Sequence, residues 1–243
     1  MNLVLGEPVF ESSVLPWHNL YFARWKDSVR HLLVDGATKI LPSKAHLYAM
    51  AIELKDLWKI RAPVKSTQGI NLAVFDELIK VSHKVHFLGV ISPTSTNSQH
   101  IRYFPQGAID CSDAQIEPHP LWEYPSRALS SAVQVMSVDL TTLSEDSAKM
   151  IVVNGIIETS VAGNCNGIAL WMDWQLDECT SIGGGPTLPV TIGQNVHWDM
   201  HSKQAVYFLN RPVNLSDGDK KVLKYQISLV PETYELKFNF SIQ

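Results

Sequence analysis

The chain has 243 residues, of which 45% are hydrophobic and 18% are charged, and its formal net charge is −4. These values are ordinary for a globular protein, and they do not indicate a nucleic-acid binder, which usually carries a basic face. No apolar run reaches the roughly 18 to 20 residues that span a bilayer. We therefore expect a globular protein that contacts neither nucleic acid nor membrane directly.

Three cysteines lie far apart in the chain, at Cys111, Cys165 and Cys179, without a CxxC pair. Their odd number and wide spacing give neither a disulfide framework nor a zinc site, and they fit a reducing compartment. No basic region precedes the apolar residues at the N-terminus, so we expect no signal peptide. The sequence predicts a cytoplasmic or nuclear protein without a bound metal.

The front of the chain has the pattern of mixed α and β structure. Residues 3–5 form a short apolar run that ends at Gly6, which is typical of the end of a buried parallel strand. Because a domain rarely begins with a central strand, we expect preceding elements upstream of this sequence. A helix follows, predicted from a stripe of apolar residues spaced three or four apart: Trp17, Tyr21, Trp25, Val29 and Leu32.

The next segment indicates a buried strand at residues 47–54, with extended chain at 56–60 until Pro63. Beyond it, short strands alternate with turn signals, at residues 133–140, 149–153, 168–176, 204–209, 222–230 and 236–242. Only residues 75–82 have a helical pattern in this half. Many short strands at such spacing favour a β-sandwich or a β-barrel. The fold class expected is an α/β start followed by an all-β region.

Residues 81–106 differ from their surroundings, with three of the nine histidines, several small polar residues and no periodicity. They interrupt an otherwise continuous pattern, so we predict an irregular insert here. One interpretation is a translated intron, since Val81-Ser82 can be encoded by a splice-donor sequence and residues 103–106 by a pyrimidine-rich acceptor. The other is a lineage-specific surface loop, because surface loops tolerate insertions.

Four blocks in order give the chain a specific resemblance. They are residues 15–22 (LPWHNLYF), 56–61 (DLWKIR), 117–125 (EPHPLWEYP) and 198–208 (WDMHSKQAVYF). Together they resemble the second module of those protein arginine methyltransferases that carry two modules in one chain. The resemblance covers nearly the whole sequence apart from residues 81–106. It implies a remnant of a Rossmann-type domain at residues 1–63 and a mainly antiparallel β-barrel at residues 64–243.

In that family, S-adenosylmethionine binds at a glycine-rich turn after the first strand of the Rossmann-type half. That turn would lie upstream of Gly6, so the resemblance implies no cofactor site in this chain. The sequence's own glycine cluster, at residues 183–185, stands between strand-like runs without a following helix. We interpret this cluster as a turn.

The resemblance also implies candidate substrate residues. The family holds the substrate arginine with two glutamates, because paired carboxylates suit a planar guanidinium. Glu7 matches the first by its place after Gly6, and Glu11 is the nearby candidate for the second, although the gap is shorter than in catalytic family members. For both, the alternative is an exposed loop with ordinary acidic residues.

Active family members also carry Thr-His-Trp in a barrel loop beside the arginine pocket. Here the stretch is Val196-His197-Trp198, so His197 and Trp198 match and become candidate substrate-binding residues. A histidine can pair with a carboxylate, and an indole can cover a cation. The alternative is a tryptophan packed at the barrel rim beside an incidental histidine. The aromatic residues at 171–174 lie on the strongest strand, and we assign them to core packing.

Two functions of different classes therefore remain open. The chain can be the C-terminal part of an enzyme that transfers a methyl group from S-adenosylmethionine to protein arginine, with monomethylation and histone substrates implied by the resemblance. Alternatively, it can be a non-catalytic packing module whose partner is the N-terminal catalytic module of the same parent protein. The lack of a donor site favours the second, and the isolated chain is predicted to be inactive.

Overall fold

The computed structural model describes residues 3–7, 15–34, 38–61, 66–74, 116–144, 151–216, 221–230 and 233–243. At the front, strand β1 (Leu3–Leu5) pairs in parallel with β2 (Lys39–Leu41). Between them lies a helical segment, made of a 3-10 turn at His18–Tyr21, helix α1 at Phe22–Ser28 and a 3-10 turn at Arg30–Leu32. The parallel pair and the short helix agree with the α/β start that the sequence predicts.

The largest unit is a seven-stranded antiparallel sheet. Its members are β3 (Lys44–Leu54), β6 (Ile116–His119), β7 (Ser126–Ala128), β8 (Val133–Asp139), β10 (Gly163–Gln175), β11 (Ser181–Gly183) and β12 (Gln204–Leu215). The long strands β3 and β10 lie side by side at its centre, and β12 pairs with the other edge of β10. Although β3 falls within residues 1–63, its partners are therefore all barrel strands.

A three-stranded antiparallel sheet faces the large one and curls the structure toward a barrel. It contains β9 (Val152–Glu158), β13 (Val222–Leu229) and β14 (Leu236–Ile242), in the order β14-β13-β9. A bridge between Ser130 and Thr159 links the two sheets at one corner. The short helix α2 (Asp56–Arg61) and the small hairpin of β4 (Ser66–Thr67) and β5 (Ile70–Asn71) follow β3.

Both faces of β10 are covered, so the large sheet separates two hydrophobic clusters. Ile168, Leu170, Met172 and Trp174 point into the barrel core, as the alternation predicts. On the opposite face, Ala169 and Trp171 join a second cluster beneath the connecting loops. The helical segment closes the barrel core, since the Trp17 ring packs 4.9 Å from Phe238 between ring centroids.

The barrel strands lie close to their predicted positions but differ in extent, and β10, for example, begins at Gly163 rather than at residue 168. The predicted strand at 149–153 overlaps β9, which spans Val152–Glu158, and residues 149–150 lie outside the described residues. The predicted strand at 204–209 continues through Pro212 to Leu215, because a bulge in β12 takes the proline out of the ladder. The strand at Leu236–Ile242 matches the prediction, with Leu236 and Phe240 buried and Lys237 and Asn239 exposed.

Two predictions for the front half are wrong. Residues 56–60 are helical rather than extended, since α2 spans Asp56–Arg61 with an acidic residue in its first turn. The predicted stripe of the first helix is also not the buried face. Tyr21, Trp25 and Leu32 are 55%, 49% and 52% exposed. The predicted helix at 75–82 and the insert at 81–106 lie outside the described residues.

Candidate functional site

The segment that carries the predicted substrate residues is the long excursion between β11 and β12, residues 184–203. Trp198 is 5% exposed at the centre of this excursion, in the outer hydrophobic cluster. Its indole N–H donates to the hydroxyl oxygen of Ser126 at 2.8 Å, and its ring meets Trp171 edge-on at 5.6 Å. The ring is thus packed inside the protein, where its faces contact other side chains instead of solvent.

One glutamine side chain organises the whole excursion. Gln204, fully buried at the start of β12, shares the two N–H groups of its amide nitrogen among the carbonyl oxygens of Gly184, Asp199 and Ser202, at 2.7, 3.0 and 2.9 Å. Its amide oxygen accepts the backbone N–H of Leu121 at 3.2 Å. The excursion is therefore tied to itself and to the segment after β6. The only sequence signal for this role is a polar residue at the start of an apolar strand.

The glycine cluster in this excursion is needed for close packing. A Cβ atom on Gly183 would collide with the carboxylate of Asp173, and one on Gly185 would collide with the indole nitrogen of Trp171. Gly183 ends strand β11, and no helix follows it before β12. A donor-binding turn needs open backbone at a helix N-terminus, so these glycines do not fit S-adenosylmethionine. The interpretation as a turn agrees with this geometry.

His197 and Glu7 have environments unlike that of Trp198. His197 is exposed, and its backbone carbonyl accepts the N–H of Thr187 at 2.8 Å. Glu7 is exposed directly after Gly6, whose N–H donates to the carbonyl of Leu41 at 2.7 Å. Within the described part of the chain, no hydrogen bond or ion pair joins Glu7 to His197 or Trp198. Glu11 lies outside the described residues, so the predicted glutamate pair stays a prediction.

A polar row crosses the outer face of the sheet beside Trp171. Tyr48 stacks on Trp171 with a centroid distance of 5.5 Å, and its hydroxyl donates to Gln134 at 3.3 Å. One position along the face, Asp173 lies opposite His46 on the neighbouring strand. Burial raises the pKa of Asp173, and the nearby His46 opposes this shift. The row is a cross-strand packing feature that the sequence analysis did not identify.

Three further features of the described residues concern ionisable groups and clefts away from Trp198. No group of three histidine, cysteine, aspartate or glutamate side chains in these ranges is arranged to hold a metal ion. Burial raises the pKa of the Cys165 thiol to about 12, so the thiol stays protonated at neutral pH. A cleft of about 190 Å³ between β12 and β14 is lined by Tyr207, Arg211 and Phe240 rather than by the predicted site residues.

The described helices are all too short or too polar to cross a membrane. Comparison with known families gives a match at residues 43–243 to the arginine methyltransferase oligomerization subdomain. The matched range begins just before β3 and runs to the end of the chain, so it contains every strand of the two large sheets. It also contains Trp198, Gln204 and the excursion that they stabilise.

Curated relatives extend the similarity over the whole chain. Protein arginine N-methyltransferase 7 of Danio rerio is 34% identical over 243 residues, which is 100% of this chain and 31% of the relative. The protein of the same name in Drosophila mojavensis is 34% identical over 245 residues, covering 98% of this chain and 30% of the relative. This chain therefore spans about a third of the length of these relatives.

A solved structure supports the fold. The Trypanosoma brucei PRMT1 enzyme–prozyme heterotetrameric complex with AdoHcy matches 100% of this chain and 63% of that chain, with a TM-score of 0.54 and 14% identity. At that identity the likeness shows the architecture alone. Together with the domain match and the relatives, it leads to one assignment. The chain belongs to the protein arginine methyltransferase family, and its similarity to methyltransferase 7 runs along its whole length.

Proposed function

We propose that this chain is the barrel part of a protein arginine methyltransferase and supports a separate catalytic module rather than binding the methyl donor itself. The parent reaction would transfer a methyl group from S-adenosylmethionine to protein arginine. Monomethylation and histone substrates belong to this proposal, as does a cytoplasmic or nuclear location. The AdoHcy in the Trypanosoma brucei complex supports S-adenosylmethionine as the donor of the parent enzyme.

The observation that carries the proposal is the position of Trp198. An indole that covers a substrate cation needs an open ring face. Trp198 is 5% exposed, gives its N–H to Ser126 and packs edge-on against Trp171. Its role in this chain is accordingly to anchor the excursion in the outer cluster. This environment supports the packing interpretation of His197-Trp198 over the substrate-pocket interpretation.

The surface of the front segment supports a partner module. Leu3 and Leu5 on β1 are 51% and 68% exposed, and Tyr21 and Trp25 on the helical segment are 55% and 49% exposed. Parallel strands are normally covered on both faces, and large exposed apolar groups of this kind mark contact surfaces. We propose that the N-terminal catalytic module of the parent protein covers this surface.

The second candidate is a working arginine pocket that includes Glu7, Glu11 and His197. It is favoured by the exposure of Glu7 and His197, whose side chains make no hydrogen bond within the described ranges. In that case, the carboxylates would hold the guanidinium and stabilise its growing charge. Glu7 would then be a catalytic residue, whereas the packing proposal gives it no part in methyl transfer.

A methyl-transfer assay with histone peptides separates the two functions. The isolated chain should show no transfer, whereas the parent protein with its N-terminal module should be active. In the parent, Glu7→Gln should leave the rate within about twofold, as should the exposed control Glu158→Gln. A clear rate from the isolated chain would overturn the packing proposal. So would a loss of roughly tenfold or more for Glu7→Gln alone, the size expected when a charge-stabilising group is removed.

A further inference from the structure

The turn after β8 gathers three backbone carbonyl groups around one buried ammonium group. Nζ of Lys26, on helix α1, donates to the carbonyl oxygens of Leu140, Thr141 and Leu143, at 2.9, 3.2 and 2.9 Å. Lys26 is 5% exposed, which is unusual because lysine is almost never buried without partners. An ammonium has three N–H donors, so these three acceptors match its full capacity.

The turn has its own internal support. The carboxylate of Asp139 accepts the backbone N–H groups of Thr141 and Thr142 at 2.9 and 3.4 Å, and the N–H of Leu143 donates to the Asp139 carbonyl at 3.0 Å. The side chains of Leu140 and Leu143 are buried in the barrel core. The carbonyl groups are therefore held in place by the barrel, and the lysine reaches them from another part of the chain.

A cation with several N–H donors suits this arrangement of carbonyl groups. Among the described residues, no other backbone hydrogen bond is donated to the carbonyls of Leu140, Thr141 or Leu143. The carbonyl groups of Leu140 and Leu143 meet Lys26 in buried contacts, where carbonyls without donors are costly, and three carbonyls that point at one place also repel each other. The nearest carboxylate, on Asp27, lies 3.7 Å from Nζ of Lys26 and adds a further attraction. Burial still lowers the pKa of Lys26 despite this attraction.

The contact of Lys26 with the turn after β8 connects the barrel to the segment around Gly6, which precedes the candidate substrate residue Glu7. Lys26 lies one turn after Phe22 on α1, and the Phe22 ring covers Gly6, where an added Cβ atom would be 2.6 Å from the ring. Gly6 directly precedes Glu7 and follows β1. Helix α1 thus carries both Lys26, which reaches the turn after β8, and Phe22, which covers Gly6 at the end of β1.

We propose that the turn at residues 139–143 is a receptor for a primary alkylammonium group, filled from within by Lys26, and that this contact latches α1 and β1 to the barrel. Apolar packing of Trp17, Leu20 and Ala23 brings the helix to the barrel core. The ammonium contact then fixes its position, because three converging acceptors define both the distance and the direction of the group. This assignment does not depend on whether the chain takes part in catalysis.

Hydrogen exchange of the whole chain tests the latch. Lys26→Met keeps most of the side-chain volume but removes the ammonium. Backbone amides at 15–34 should then exchange at least roughly tenfold faster, while those of β10 change by less than about twofold, because the latch opens locally. The exposed Lys55→Met is the control and should change neither. Equal acceleration in both regions, no acceleration, or a variant that fails to fold would contradict the latch.

A rescue experiment tests the receptor. Lys26→Ala removes the three terminal carbons and the ammonium, which is the size of an n-propylammonium ion. Millimolar n-propylammonium should restore slow exchange at residues 15–34 in this variant, and it should leave the unmodified chain unchanged. Tetramethylammonium at the same concentration should have no effect, since it has no N–H donor. Rescue by both ions, or by neither, would overturn the receptor assignment.

Discussion

Asn166 shows how single polar side chains replace missing backbone ladder bonds in this barrel. It is 2% exposed, and its amide accepts the N–H of Leu54 at 2.8 Å and donates to the carbonyl of Leu54 at 2.7 Å. The register between β10 and β12 shifts at this residue, between Cys165 and Gly167. Because the side chain imitates a backbone pair, it extends the contact between β10 and β3 beyond the last ladder pair, Gly167 with Ile52.

The carboxyl group of Asp173 should make stability depend on pH. Burial raises its pKa, so the folded-state pKa lies above the unfolded value of about 3.9. The charged form is therefore destabilising at neutral pH, and this cost disappears as the pH falls below the raised folded-state pKa toward the unfolded value. Asp173→Asn removes the charge at nearly constant shape. It should raise the melting temperature by a few degrees at pH 7.5, with a gain that shrinks toward pH 4.

Asp177 is the matched control for this measurement. Hydrogen bonds from Cys179 and Thr180 lower the pKa of Asp177. The charged carboxylate therefore stabilises the folded state at pH values above the ordinary pKa of aspartate. Asp177→Asn should therefore lower the melting temperature slightly at pH 7.5 and lose its effect in acid. If both variants shift in the same direction at pH 7.5, the assignment of Asp173 as a destabilising buried charge is wrong.

At the level of elements, the sequence predicts strands better than it predicts which helix face is buried. Period-two alternation fixes the face of β14 because a strand has only two faces. Of the predicted apolar stripe only Trp17 is buried, and the segment otherwise buries Leu20, Ala23 and Lys26. Those positions are spaced by three, since the segment begins with a 3-10 turn, and Lys26 has partners far away in the sequence. Neither fact can be read from local periodicity.

The helix α2 illustrates a second limit at this scale. Its six residues are too few for a helical pattern to be distinguished from an extended one. The buried Leu57 anchors it to the outer cluster beside Trp58 and Phe208, so tertiary packing stabilises the helix. Local sequence does not predict the continuation of β12 through Pro212 either, because the bulge that accommodates the proline depends on the neighbouring strand β10.

The excursion at residues 184–203 should depend on Gln204. Gln204→Leu keeps the buried volume but leaves three carbonyls and the N–H of Leu121 without their partner. We expect a loss of about 2 to 3 kcal/mol in the free energy of unfolding, since each unpaired buried group is costly. Urea unfolding measures this loss, and faster cleavage by trypsin at Lys203 reports the loosened excursion.

The control for this variant is Gln194→Leu, in the same excursion. Gln194 is exposed, and its backbone, rather than its side chain, makes the described hydrogen bonds. Its substitution should change the free energy of unfolding by no more than about 0.5 kcal/mol. Equal effects of the two substitutions would show that Gln204 does not organise the excursion.

In the whole molecule, the barrel is the dominant unit, and the sequence blocks identify it well. The match at 43–243 includes β3, and the domain boundary expected at residue 63 stays a prediction. The four sequence blocks and their order could reveal the family, because their residues pack specifically against one another in this fold. The sequence leaves Trp198 open between substrate binding and packing, because the choice depends on Ser126 and Trp171, which contact it only in the folded chain. The pairing of Glu7 with Glu11 stays a prediction.

The central claim is that this chain supports methyl transfer without holding the methyl donor. Isothermal titration calorimetry of the isolated chain with S-adenosylmethionine tests it most directly, and the parent protein with its catalytic module is the positive control. The glycine cluster at 183–185 is filled by neighbouring side chains and no helix N-terminus follows it, so we predict no measurable heat of binding for the isolated chain. Saturable binding at micromolar affinity with a stoichiometry near one would contradict the claim.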